Sequence, residues 1–244
     1  MKLIEIEKLN LEIDGKVLLK DIDFSINSGE ILALAGESGS GKTLTTKFIL
    51  GILPERSKIS YKKFEKNCKI GAVFQNAFTS LNPTVKIGHQ LKKIHEGHYG
   101  KNRDWKREVV EILDKLGLKE PEKILKKYPH ETSGGERQRV VIAGALIGRP
   151  ELLIADEVTT ALDLKTKREV ITLFKEVQKA TGVSILFISH DLESIQNFAQ
   201  EVCVMYKGEI VEKNSCDKIF QEQIHPYVKK LINLSKGLWK RSTE

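Results

Sequence analysis

The sequence predicts an α/β fold: a mostly parallel sheet with helical crossovers, preceded by an antiparallel β-subdomain and interrupted by an inserted α-helical subdomain. Strand and helix patterns alternate from Leu152 to Ala199, an order that gives parallel pairing through helical crossovers. Up to Ile26 the apolar residues instead alternate in short runs around Asp14-Gly15, the pattern of antiparallel strands. Between two strand patterns, residues 76–132 take a helical period.

In order, Leu3, Ile4, Ile6, Leu9, Leu11 and Ile13 alternate with polar residues, and residues 17–19 and 22–26 follow the Asp14-Gly15 corner, which reads as a run of short antiparallel strands. Ser28-Gly29-Glu30 turns the chain into the apolar run 31–35, suited to a buried strand, and residues 44–53 read as a helix closed by Pro54. Residues 54–70 are polar, rich in lysine and without clear period; residues 70–74 are the next strand, with Gln75 directly after it. In the helical block Asp104 caps a helix whose apolar face is Trp105, Val109, Ile112, Leu113 and Leu116, and Gly117 stops it. Another helix opens at Ser133-Gly134-Gly135 and runs to Pro150. Strands over 152–155 and 183–188, helices over 164–179 and 192–199, and a hairpin around Lys207-Gly208 complete the pattern. One domain, 1–244, is expected, with core and β-subdomain over 1–75 and 133–215, helical subdomain over 76–132 and C-terminal helical tail over 216–244.

Composition narrows the classes. Cys68, Cys203 and Cys216 lie far apart with no C-x-x-C pair, so neither a disulfide framework nor a zinc site is indicated, and a reduced compartment is expected. The N-terminus has no basic stretch followed by an apolar one, and no apolar run approaches the about 18–20 residues of a membrane span. A soluble, cytoplasmic chain is the expectation. The net charge of +7, from 40 basic and 33 acidic residues, is scattered, which reads as a solvated surface and not as a nucleic-acid footprint.

Residues 36–43, GESGSGKT, match the phosphate-binding loop GxxxxGK[ST] between a strand and a helix. Gly36, Glu37, Ser38, Gly39, Ser40 and Gly41 form the loop. Its glycines let backbone N–H groups turn inward around an oxyanion, and the helix that follows adds the positive end of its dipole. Lys42 can reach the β- and γ-phosphates of a nucleoside triphosphate, and the Thr43 hydroxyl can coordinate magnesium. In ELLIADE, four apolar residues deliver Asp156 and Glu157 to the carboxyl end of a strand, where open α/β sheets place ligand chemistry. Asp156 is suited to hold the magnesium through its water shell, and Glu157 to orient and deprotonate the attacking water. Ser133, Gly134 and Gly135 leave helix N-terminal N–H groups uncovered, a second phosphate-binding point. Two such points on different lobes are reconciled by a head-to-tail dimer, the Ser-Gly-Gly of one subunit closing on the nucleotide of the other. Taken alone, Ser-Gly-Gly is a helix cap with a flexible turn.

GESGSGKT, Gln75, TSGGERQR, LLIADE, Ala161-Leu162-Asp163 and Ile188-Ser189-His190-Asp191 resemble, in order and spacing, the Walker A, Q-loop, signature, Walker B, D-loop and H-loop of ABC-type ATPases. FQNAFTSLNPTVKIGHQL, YPHETSGGERQRVVIAGALIGRPELLIADEVTTALD and His225-Pro226-Tyr227 are similar to the ATP-binding subunits of oligopeptide, dipeptide and nickel importers. The resemblance implies a RecA-like P-loop NTPase core. It also implies that Gln75 binds the metal or water and reports the γ-phosphate to the helical lobe, that His190 stabilises the γ-phosphate and attacking water, and that Asp163 sits at the dimer seam. Asp163 also reads simply as a helix N-cap. The chain departs from the family at Thr132, where leucine is usual, at Val158, where proline is usual, and near Ile13, where the adenine-stacking aromatic would fall and only Ile13 and Val17 stand. The segment from Lys42 to Gln75 is short for the group, so a trimmed β-subdomain is expected.

The resemblance thus implies the ATP-hydrolysing subunit of an ABC importer, at the cytoplasmic face of the membrane, using ATP and Mg2+. Its partners would be a second ATP-binding subunit, separate integral membrane permeases engaged near residues 76–90 and, indirectly, an extracytoplasmic solute-binding protein. A cytosolic ABC-type ATPase acting on ribosomes or DNA would usually carry two cassettes or a long coiled coil, and neither is in the sequence. A GTPase-like switch lacks its Asn-Lys-x-Asp stretch, and Glu157 with His190 argues against a module that only holds ATP. Within the resembling group, oligopeptide and dipeptide subunits often extend past the His-Pro-Tyr segment with a cysteine-containing tail and nickel-type subunits are shorter. Since this chain ends soon after His225-Pro226-Tyr227 with no cysteine after Cys216, the resemblance implies nickel or a chelated transition metal as cargo, with oligopeptide or dipeptide as the alternative.

Overall fold

A computed structural model of the chain describes residues 1–75, 80–101, 103–160, 162–196 and 198–240. Strands β1 (Lys2–Ile13) and β2 (Lys16–Asn27) are 12 residues each and pair antiparallel along their length. Asp14 and Gly15 join them with φ of 50° and 78°, as a two-residue primed turn requires. The ladder is continuous where several short strands were expected: its register shifts between Ile6 and Leu9 and again to Leu11, so the alternation breaks while the pairing goes on. The polar stretch after Pro54 also forms strands, β4 (Ser57–Ser60) and β5 (Lys63–Lys66), which pair with successive parts of the other edge of β1. The lysines in and between them conceal this, because Lys58, Lys62 and Lys63 face Glu12, Glu7 and Glu5 of β1 at 2.9, 2.8 and 2.6 Å. The short segment therefore still supplies a paired β-layer, with Phe64 packed on Phe48 of α1 (Lys42–Leu50) at a centroid distance of 4.5 Å.

The second sheet holds β3 (Ile31–Ala35), β6 (Ile70–Phe74), β7 (Leu152–Asp156), β8 (Ser184–Ser189), β9 (Glu201–Tyr206) and β10 (Glu209–Ser215), in the order β10-β9-β3-β8-β7-β6. All neighbours are parallel except the β9–β10 hairpin. Both faces are covered, so β3, β7 and β8 are buried throughout and read as unbroken apolar runs. Leu32, Leu34, Ile154, Leu186 and Ile188 point toward the antiparallel layer and α1, whereas Ile31, Ala33, Leu153, Ile185 and Phe187 point toward the helices.

Between β6 and β7 lie α2 (Ile87–Tyr99), α3 (Trp105–Lys115), α4 (Pro121–Lys126) and α5 (Gly134–Leu146). Asp104 caps α3 as expected, accepting from Arg107 N–H at 3.3 Å, and Gly117 follows in the left-handed region. α6 (Leu164–Thr181) joins β7 to β8. α1 ends at Leu50, before the expected residue 53, because Gly51 turns left-handed and its N–H caps Phe48 O at 3.0 Å. α7 (Leu192–Ile195) is likewise shorter than residues 192–199: Phe198 and Ala199 N–H close on Ile195 O, and Gln200 N–H already bonds Ile31 O on the way into β9. α8 (Cys216–Gln221) and α9 (Pro226–Lys240) follow β10.

Phe187 is fully buried on β8, edge-on to Phe174 of α6 at 5.8 Å and to Phe198 at 4.9 Å. Phe187→Ala should cost about 3–5 kcal/mol by removing this packing and leaving a cavity. Urea unfolding of the purified chain measures it, and a loss under about 1 kcal/mol would show that the layer refills without the ring.

Candidate active site

Register gathers the expected residues along one edge of the sheet. Ala35 pairs with Ser189 and Val204, and Asp156 lies between Ile188 and Phe74. The loop after β3, His190 after β8, Glu157 after β7 and Gln75 after β6 therefore leave the carboxyl ends of neighbouring strands, each about 4.8 Å from the next.

Residues 36–41 wrap around the start of α1. A side chain at Gly36 would meet Met205 O at 2.3 Å, so only glycine lets the loop lie this close to β9. The β9–β10 turn braces the loop: Gly208 N–H donates to Ser40 O at 2.9 Å, and Lys20 N–H of β2 donates to Gly208 O at 2.8 Å. Lys42 is buried, and its Nζ donates to Gly36 O at 2.8 Å and Glu37 O at 3.0 Å. It also lies 3.5 Å from Glu157 Oε1. Burial pulls the Lys42 ammonium below its ordinary pKa, and the charge of Glu157 opposes that fall.

Asp156 closes β7 almost fully buried, and burial first, then the Glu157 charge, pushes its carboxyl up to about 6. Its Oδ1 has no hydrogen-bond partner, which is costly for a buried oxygen unless another group completes it. Glu157 sits in the left-handed region (φ 52°), its N–H on Ile188 O at 3.1 Å, and Thr160 Oγ1 donates to its Oε2 at 3.4 Å. Among the described residues no three His, Cys, Asp or Glu side chains converge, so a cation bound at Asp156 would draw most of its ligands from nucleotide and water.

Thr43, Gln75 and His190 are exposed at this edge, as are Glu37, Ser38 and Gly39, whereas Ser40 is buried. The backbone beside His190 is pinned: Asp191 N–H donates to Ser189 Oγ at 3.0 Å, Ser194 Oγ donates to Asp191 O at 2.7 Å, and Lys167 of α6 pairs with Asp191 at 3.4 Å. Ser133 N-caps α5, its Oγ taking Glu136 N–H while Glu136 takes Ser133 N–H. Gly134 and Gly135 have open space where a side chain would stand. Asp163 N-caps α6 through Lys165 and Thr166 N–H and the Thr166 hydroxyl, bonds that hold its carboxyl below the ordinary range. The contacts of Ser133 and Asp163 are thus local, unlike those that join Lys42 to Glu157. Ala161, and residues 76–79 of the stretch compared with importer subunits, lie outside the described residues. Val17 is exposed just ahead of the part of β2 that abuts Gly41 and Gly208, with Ile13 across the turn. A contact that the loop motif alone does not signal is Glu37 N–H donating to the Tyr227 hydroxyl at 3.0 Å; its only trace in the sequence is the His225-Pro226-Tyr227 segment.

A family model described as ABC transporter matches residues 19–160. The oligopeptide transport ATP-binding protein OppD of Bacillus subtilis is 42% identical over 228 residues, 86% of this chain and 64% of OppD, so the chain spans less than two thirds of that relative. The dipeptide transport ATP-binding protein DppD of Bacillus subtilis is 39% identical over 233 residues, 88% of this chain and 70% of DppD. Among solved structures, cbiO1 of Clostridium perfringens, part of the ABC transporter complex cbiONQ, superposes with a TM-score of 0.77 at 28% identity over 96% of this chain and 95% of that one. The family match takes in the phosphate loop, Gln75, the 133–135 corner and the Asp156-Glu157 pair. With an α/β fold of the P-loop NTPase kind to carry them, the chain belongs to the ABC transporter family, among its ATP-binding members.

Proposed function

We propose that the chain is the ATP-hydrolysing subunit of an ABC importer, and the observation that carries this is Lys42, Asp156 and Glu157 meeting at the phosphate loop. Lys42 is held by Gly36 O, Glu37 O and Glu157. A triphosphate oxygen replaces the Glu157 carboxylate at the lysine while Gly36 O and Glu37 O go on orienting it, so binding ATP frees Glu157. Glu157 is then available to orient a water and accept its proton as the water attacks the γ-phosphorus. His190 and Gln75, which follow the strands at either side of β7, contact the γ-phosphate and the water. The unpartnered Asp156 Oδ1 suits magnesium, which Asp156 would hold through the ion's water shell, with Thr43 and Gln75 as further ligands, and the ion would supply positive charge toward the phosphates. Ile13 and Val17 take the place of an aromatic beside the base.

Ser133, Gly134 and Gly135 serve the nucleotide of a second ATP-binding subunit, and Asp163 lies at that seam. A permease helix fits the 410 Å³ groove lined by Phe74, Leu81, Leu91, Ile94, Val140 and Val141, where Phe74 and Ile94 are left exposed. Gln75 directly follows Phe74, so the same strand end serves the nucleotide and the permease. No helix among the described residues is long and apolar enough to cross a membrane, consistent with separate permeases and a peripheral position at the cytoplasmic face. The names of the relatives favour peptides as cargo, the alternative in the sequence reading, over nickel. The nickel expectation rested on where the chain ends, and neither relative supports it.

Glu157→Gln should keep ATP binding and slow turnover on the order of 10²- to 10⁴-fold, because the amide cannot accept the water's proton. Steady-state hydrolysis by a pure sample checks this, and turnover near that of the unaltered chain removes Glu157 from its role. A second outcome concerns pH. The Asp156 pKa rises from 3.8 to about 6 on folding, so stability from this group is fully present below 3.8 and is lost as pH rises through about 6. Asp156→Asn should remove that part of the pH dependence of unfolding in the nucleotide-free chain. Magnesium competes with the same proton, so apparent affinity should fall up to about tenfold per pH unit below 6 and remain level above it. Magnesium titrations of the ATP-bound chain across this range, beside Asp156→Asn, test it, because the ATP γ-phosphate titrates in the same range in both; a profile unchanged by the substitution assigns the metal elsewhere. For the cargo, deleting the gene should abolish uptake of a labelled oligopeptide and spare radioactive nickel, and the reverse outcome restores the metal reading.

A further inference from the structure

The His225-Pro226-Tyr227 segment has no part in the chemistry above, yet the fold brings it to the phosphate loop. Glu212 on β10 is buried and accepts from the backbone N–H of Ile224 and His225 at 3.4 and 2.8 Å, which fixes the chain just before α9. His225 Nδ1 accepts from Tyr227 N–H at 3.2 Å. The Tyr227 ring stacks on Tyr206, the last residue of β9, at 4.1 Å and 29° between planes. Its hydroxyl oxygen then lies 3.0 Å from Glu37 N.

That N–H belongs to the same amide as Gly36 O, the carbonyl that holds Lys42 at 2.8 Å. One planar group is gripped at both ends, by Tyr227 from the tail and Lys42 from the site, and each bond polarises the amide in favour of the other. The clamp matters because glycine at position 36 puts little restraint on rotation of the plane that follows it. We propose that Tyr227 is a positioning residue for the phosphate loop, fixing the Gly36–Glu37 amide so that Lys42 is presented in place to the triphosphate. The inference rests on the reading of residues 36–43 as the ATP site. Burial pushes the Tyr227 phenol above its usual pKa, so its oxygen serves as a neutral acceptor at physiological pH.

The test uses the full chain, Tyr227→Phe, which keeps the ring stack and removes the acceptor, and Lys42→Ala beside it. In the unaltered chain, slow hydrogen exchange at the Glu37 amide is expected by NMR, and exchange at the rate of a free loop overturns the proposal before any variant is made. Tyr227→Phe should speed that exchange and raise the Kd and KM for ATP with magnesium about three- to tenfold, the worth of one hydrogen bond, with kcat and thermal midpoint unchanged. An unchanged Kd overturns the role of Tyr227, whatever happens to exchange. So does a fall in kcat and thermal midpoint at constant Kd, which assigns the tyrosine to holding the tail. If Lys42→Ala loses ATP binding while Tyr227→Phe keeps it, the site reading stands and only the clamp fails. If Lys42→Ala binds ATP like the unaltered chain, the site reading fails and takes the clamp with it.

Discussion

A buried ammonium set among two carboxylates is the interaction on which the site depends. Lys42 carries one positive charge against the two negative charges of ionised Asp156 and Glu157, in surroundings dry enough to push the Asp156 carboxyl up to about 6 and the Lys42 ammonium down. Such a group is costly to assemble, because desolvating each ion competes with their mutual attraction. The backbone offsets part of the cost: Gly36 O and Glu37 O complete the lysine, and the Glu157 amide is anchored on Ile188. Asp156 Oδ1 is left uncompensated, and a buried carboxylate with a spare oxygen is what a cation would complete.

The sheet makes this arrangement possible. Parallel strands with helices and a second sheet on their faces bury β3, β7 and β8 throughout, so solvent is reached only in the loops beyond their carboxyl ends, and charged groups that cannot be buried in the body collect there. Their spacing follows from strand order and not from sequence separation. Gly36 and Glu157 are far apart in the chain, and β8 alone stands between the strands that deliver them.

The same logic explains what was legible in the sequence. The phosphate loop, the Asp156-Glu157 pair and the two caps at Asp104 and Ser133 declare themselves because local chemistry dictates each one. β4 and β5 do not, since their strand character lies in cross-strand Lys–Glu pairs with β1 and only Phe64 among their inward residues is strongly apolar. The continuity of β1 and β2 is hidden for a different reason, that a register shift changes which residues face inward without ending the ladder. Tyr227 is further still from legibility: its partner is a backbone N–H at position 37, and a backbone donor leaves no mark on residue identity.

Gly134 and Gly135 pose the remaining physical question. Glycine at the start of a helix lowers helical propensity, and some glycines of this chain have an internal reason, as Gly36 has against Met205. Here there is none: both positions are helical, neither has positive φ, and nothing in the chain approaches where a side chain would stand. The Ser133–Glu136 capping box spends the side chains nearest the helix start on internal bonds and still leaves this corner exposed. The open space leaves room for the approach proposed above, of a second subunit's nucleotide to the backbone N–H groups at the opening of α5. The positive end of that helix suits an anion, which accords with the nucleotide of a second subunit as its occupant.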